Sequence, residues 1–110
     1  MESLSLTVLA EEHLEKARAT SAGRSARTIH GGHDHLLRQT VIALAAGREL
    51  GEHDSPGQAT LQVLRGRVRL RTADDEWSGG PDDYLVIPRQ RHNLHADTDA
   101  AVLLTVLADS

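Results

Sequence analysis

From Ala59 to Thr72 apolar and polar residues alternate strictly about a single Arg65-Gly66 turn. Ala59, Leu61 and Val63 fall on one side, with Thr60 and Gln62 on the other. Beyond the turn, Val68 and Leu70 oppose Arg67, Arg69 and Arg71. Side chains on a strand project to alternate faces, so this pattern predicts an antiparallel hairpin with one dry face. Residues 7–20 follow a different period. Leu6, Ala10, Leu14 and Ala17 recur at helical spacing and form one narrow apolar stripe. Glu11 and Glu12 are expected toward the positive end of that helix, Lys16 and Arg18 toward the negative end. Ser21–Gly23 should end it.

Past residue 25 the chain reads as short strands at close intervals. Expected strands are 26–30, 36–45, 48–54, 59–64, 67–72, 83–87, 91–96 and 101–107. Turn signals separate them at Gly31-Gly32, Ala46-Gly47, Ser55-Pro56-Gly57, Arg65-Gly66 and Ser78-Gly79-Gly80-Pro81. Pro88 closes the run Tyr84–Ile87, because proline donates nothing to a ladder. The expectation is an all-β sandwich or barrel, residues 26–110, behind an N-terminal helical arm, residues 1–25.

Composition narrows what such a barrel can do. With 110 residues there is room for one core. Trp77 and Tyr84 are the only aromatics, so the core must be aliphatic and base stacking is nearly excluded. The net charge of −4 offers nucleic acid no basic field. Cysteine is absent, which removes disulfides, thiolate chemistry and cysteine-ligated zinc. The longest apolar run, Val41–Ala46, is far short of the roughly 20 residues of a membrane helix. Met1-Glu2-Ser3 lacks the opening of a secretory signal, so a soluble cytoplasmic protein that engages no membrane is expected.

Histidine is the one chemically versatile residue in supply. His53 and His92 each follow a strand pattern. Gly47, five residues, then His53, and Gly66 at the later hairpin turn, form one motif. Asp82, five residues, Pro88, and then His92 form another. In these features residues 36–107 resemble the cupin family. In that family's first motif Ser55 stands in place of the second histidine and Ala59 in place of the glutamate. In its second motif Asp82 and Gln90 replace glycines, and His92 comes one residue early. The resemblance implies a double-stranded β-helix, or jelly-roll barrel, commonly dimeric, with a pocket between its sheets. It places His53, His92, Ser55 and Ala59 at that pocket and makes His53 and His92 its metal ligands. Gln62 joins them as a pocket candidate only if a bulge turns it inward, since it alternates away from Ala59.

Two of the family's usual metal ligands are therefore replaced, including the anionic one. A catalytic zinc wants three protein ligands, and non-haem iron wants two histidines and a carboxylate. Two readings of the pair stay open. They are pocket histidines bonded to each other or to water. Alternatively, they hold a divalent Zn, Fe, Mn, Ni or Cu ion completed by another His, Gln or water. His30, His33 and His35 are expected in a polar loop around Gly31-Gly32, and His13 and His95 at the surface. The arginine stripe 67, 69, 71 is expected to be a solvated face paired with Asp74, Asp75 and Glu76. No dinucleotide, phosphate-loop or nucleophile-elbow motif occurs.

The functional expectation is a homodimeric barrel binding a small molecule, with the two histidines as polar handles. A metal-dependent cupin enzyme of oxygenase or isomerase type is the second reading, and a structural or interaction protein the third.

Overall fold

The two strands flanking Arg65-Gly66 form, but they do not pair as a hairpin: the turn carries the chain from one sheet into a second, and the two sheets face each other across an aliphatic core, which takes the dry face of each strand. The computed structural model describes residues 1–32, 34–55 and 57–108. In chain order the elements are α1 (Leu6–Ala19), β1 (Arg24–His30), β2 (Leu37–Leu44), β3 (Gly57–Arg65) and β4 (Val68–Arg71). They continue with β5 (Glu76–Gly79), β6 (Tyr84–Val86), β7 (Asn93–Ala96) and β8 (Ala100–Ala108). One sheet has the order β1-β2-β8-β3-β6 and the other β5-β4-β7, each with antiparallel neighbours. No helix is long and apolar enough to cross a membrane.

Register decides which side chains enter the barrel. Arg38 pairs with Val106 and Val106 with Ala59, while Thr40 pairs with Leu104 and Leu104 with Leu61. Ile42, Val102 and Val63 form the next row inward. Leu44, Leu61, Val63, Val68, Leu70 and Val102 are all 3% exposed or less and make the aliphatic interior. Burying such a side chain stabilises by about 1.5–3 kcal/mol against leaving it in water.

The opposite face of the large sheet is covered by α1, mainly over β1 and β2. Leu9, Ala10, Leu14 and Ala17 bury against Val41, Ala43, Ala101 and Leu103. The Ser5 hydroxyl caps the helix by accepting from the Val8 amide at 3.2 Å. At the other end Thr20 donates to the Ala17 carbonyl and accepts from the Gly23 amide. Glu11 and Glu12 lie in the middle of the helix and not in its first turn. The arm is thus part of its own barrel's packing, and β1 begins at Arg24.

His13, expected at the surface, is 5% exposed on the buried side of α1, with Nδ1 2.7 Å from the Ser25 hydroxyl. The stripe that buries Leu9, Leu14 and Ala17 simply extends over it. Burial holds its pKa below the ordinary value of 6.5, and the Lys16 charge adds to the effect.

Two strand expectations need correction. Residues 48–54 form no continuous strand; they run beside His92 and β7, bridging at Glu49–His95 and His53–His92, with the Leu50 amide donating to the Leu94 carbonyl between them at 3.0 Å. Gly47 and Gly51, with φ of +81° and +89°, break the extended path. Conversely, Glu76–Gly79 is a strand, although Gly79 and Gly80 read as turn punctuation. A Cβ at Gly79 would collide with the Trp77 ring, so this glycine makes room within the sheet. The arginine stripe is exposed and tied down, Arg69 to Asp97 at 2.6 Å and Arg71 to Glu76 at 2.6 Å. Asp74 and Asp75 instead engage Thr72 in the turn.

Beyond α1 the outer face of β2, β8, β3 and β6 carries no charged side chain among the described residues, whereas Arg27 of β1 falls on the same face. Leu37 and Gln39, Thr105 and Leu107, Gln58, Thr60 and Gln62, and Tyr84 and Val86 share it by register. Tyr84 and Val86 are 61% and 67% exposed.

Candidate functional site

His53 and His92 are distant in sequence and adjacent in space, because their backbones bond to each other in both directions. The His53 amide donates to the His92 carbonyl at 2.9 Å, and the His92 amide to the His53 carbonyl at 3.0 Å. Directly opposed residues send their side chains to the same face. The imidazole centroids accordingly lie 4.4 Å apart, edge to face at 68°. Their sequence neighbours point the other way, where Arg91 bonds both Glu52 and Asp54 at 3.2 Å and closes the outside of the same bridge.

Both rings are oriented by backbone carbonyls. His53 Nδ1 is 3.0 Å from the Gly51 carbonyl oxygen, and His92 Nδ1 is 2.8 Å from that of Gln90. A carbonyl only accepts, so in each neutral ring Nδ1 carries the hydrogen and Nε2 carries the lone pair. Asn93 supports the arrangement: its Oδ1 accepts from the Gly51 amide at 2.9 Å, and its Nδ2 donates to Glu49. No buried side-chain nitrogen or oxygen lacks a partner among the described residues. The two Nε2 atoms make no protein hydrogen bond there, so they face open space.

Two spaces meet at this pair. The inner one, among Ile42, Leu50, Leu61, Leu70, Ile87, Leu94 and Leu104, holds only about 20 Å³. That admits one water and nothing larger, since a water needs roughly 10–15 Å³ of such space. The outer one is a mouth of about 330 Å³ lined by Arg38, Thr40, His53, Asp54, Ile87, His92, Leu104 and Val106. His92 is 3% exposed, while His53 is half-buried at the rim.

Of the other expected pocket residues, Ser55 and Gln62 stand elsewhere, and Ala59 shares a row with two residues of the mouth. Ser55 exchanges hydrogen bonds with Gly57 in the turn and lines neither space. Ala59 is buried on the inner face in the row of Arg38 and Val106, and it offers no donor atom. Gln62 lies on the outer face, opposite Leu103 and Tyr84; the bulge in β3 comes after Val63, too late to turn it inward. His30 and His35 approach each other, with centroids 5.1 Å apart, and line neither space, while His33 lies outside the described residues. His95 is three-quarters covered and lies 3.7 Å from both Glu49 and Asp97.

Arg38, Thr40 and Asn93 were not singled out by the sequence pattern. Alternation along β2 did place Arg38 and Thr40 on one face with Ile42 and Leu44, but its other face is also apolar, because α1 covers it.

The metal chemistry common to such barrels does not fit these residues. Two imidazole nitrogens converge, the position that could add a carboxylate is Ala59, and Asp54 is 87% exposed and engaged by Arg91. Among the described residues no three His, Cys, Asp or Glu side chains gather as a ligand set.

The architecture defines a jelly-roll barrel with a histidine pair at its mouth. No protein family and no curated protein matches the sequence. Among solved structures the chain is similar to a conserved protein of unknown function from Streptococcus pyogenes. The two are 26% identical with a TM-score of 0.73, over 83% of this chain and 79% of that one. A cupin superfamily protein from Desulfitobacterium hafniense is 17% identical, with a TM-score of 0.71 over 78% of each chain. A variant of salicylate 1,2-dioxygenase from Pseudoaminobacter salicylatoxidans, in complex with gentisate, is 19% identical with a TM-score of 0.75. That match covers 91% of this chain but 32% of the dioxygenase. The molecule has the fold of a small cupin domain.

Proposed function

We propose that this cupin domain binds a small molecule at the barrel mouth, with His53 and His92 accepting hydrogen bonds from it. The observation that carries the reading is the pair of carbonyl-anchored rings lining an opening of about 330 Å³, with both Nε2 atoms free of protein hydrogen bonds among the described residues. That volume is at the lower end of the roughly 300–1,000 Å³ of small-molecule sites. The filled interior confines a ligand to the mouth. Apolar walls from Ile87, Leu104 and Val106 supply contact area, and Thr40 adds a hydroxyl.

The donor set favours binding over metal-assisted catalysis, because two neutral imidazoles without an anionic partner hold a divalent ion weakly. The test is a thermal-shift screen of small polar metabolites on untagged protein, with metal content measured on the same sample. Ligand-induced stabilisation that disappears in the His53→Ala, His92→Ala variant supports the reading. One equivalent of tightly held metal that leaves with those substitutions would contradict it and favour a metal-dependent enzyme.

Assembly as a homodimer is supported by the outer sheet face. A two-fold interface sets a patch against its own copy, so a charge near the axis meets a like charge. For a chain of net charge −4, the uncharged surface carrying Leu37, Thr60, Tyr84, Val86 and Leu107 avoids that repulsion.

A further inference from the structure

The mouth has exchanged an anionic group for a cationic one. Its inner row holds Ala59, Val106 and Arg38, so the charged atom contributed by the strands is a guanidinium. No carboxylate among the described residues pairs with Arg38, whereas Asp54, the only acidic residue lining the mouth, is bonded to Arg91. The Arg38 stem lies against Gly31, where a Cβ would meet its Cγ at 3.0 Å, and this contact limits the directions the side chain can take. Beside it stand two Nε2 lone pairs that can only accept while the rings are neutral.

From this charge and hydrogen-bond pattern we infer that the ligand is a small carboxylate that also carries a hydroxyl or N–H group. Arg38 receives the carboxylate through two parallel hydrogen bonds, a geometry the planar guanidinium favours over a point charge. The hydroxyl or N–H donates to His53 or His92. A cation is disfavoured by Arg38, and an acceptor-only molecule leaves the imidazole lone pairs unmatched. The inference rests on the mouth being the binding site and adds the chemical class.

The test follows the His53 and His92 imidazole resonances of the full chain by NMR during titration with four matched probes. Lactate carries both groups, lactamide is its neutral counterpart, 1-amino-2-propanol replaces the carboxylate with a cation, and propionate removes the hydroxyl. The expected result is that lactate shifts both rings at concentrations at least about tenfold below those the other three need. An advantage of that size corresponds to one charge-assisted hydrogen bond or more. Arg38→Gln, exposed at the rim and outside the core, should erase lactate's advantage over lactamide. Wild-type affinity for lactate in Arg38→Gln would overturn the role of Arg38. Lactamide or aminopropanol binding as well as lactate would overturn the carboxylate class and leave the mouth as the site. Silence of both rings to all four probes would overturn the class and the mouth together.

Discussion

Replacing Leu61 with alanine tests whether the barrel interior is a packed core or a ligand chamber. Leu61 is 2% exposed, stands opposite Leu85 and Leu104, and walls the inner space below the histidines. The present gap there is about 20 Å³, so the neighbours already touch and have little freedom to collapse inward. Truncation loses the transfer free energy of three carbon atoms and adds a cavity term, together about 3–4 kcal/mol on the scale of buried Leu→Ala changes. A domain of this size holds about 5–15 kcal/mol, so the variant should fold but lose about 12–20 °C in Tm. Urea unfolding followed by circular dichroism gives the loss, with the slope unchanged if the native state stays compact. The variant, unlike the parent, should also bind benzene or xenon, as dry apolar cavities do. A loss below about 1 kcal/mol, or benzene bound inside the unaltered protein, would refute the filled interior.

Three further outcomes are expected. Val86→Asp, or Leu107→Asp, places a charge on the uncharged sheet face; sedimentation should then show monomer where the parent shows dimer, and a parent that is already monomeric rejects that interface. Stability should fall on acidification in two windows: His13 is held below its ordinary 6.5 by burial, and Asp99 below its ordinary 3.8 by the Ala46 amide and then Arg18. Each native pKa is depressed, so the unfolded chain takes up protons first, and stability present above the ordinary pKa is lost as pH falls through the native one; urea midpoints from pH 8 to 3 read both windows, and His13→Leu should flatten the upper one. Gly66→Ala should cost about 2 kcal/mol or more in the same unfolding assay, because the turn holds φ at +71° and a Cβ would run into the Asp99 carbonyl.

The fold was legible wherever one face of an element is wet. Strands β3 and β4 show this, since their polar positions mark the outside, but alternation could not show that Arg65-Gly66 crosses between sheets where a hairpin was expected. The β2 strand hides its facing because both sides are dry, one toward the barrel and one under α1, so Arg38 could not be assigned to the mouth from alternation. Periodicity likewise placed His13 on the helix but could not show that Ser25 would reach it. Strand 76–79 was lost behind a glycine pair, whose role became clear only once the Trp77 ring was seen over Gly79. The histidine pair emerged from motif spacing, whereas the carbonyls that orient the rings belong to backbone geometry, which side-chain identity does not encode.

His53 and His92 meet at the mouth with Nδ1 held by carbonyls and Nε2 bare. Long-range ¹H–¹⁵N correlation spectra of the imidazoles at alkaline pH, with through-space contacts between the rings, test this arrangement directly. Both rings should show the Nδ1–H tautomer and a strong mutual contact. An Nε2–H tautomer in either ring, or rings with no mutual contact, would contradict the site.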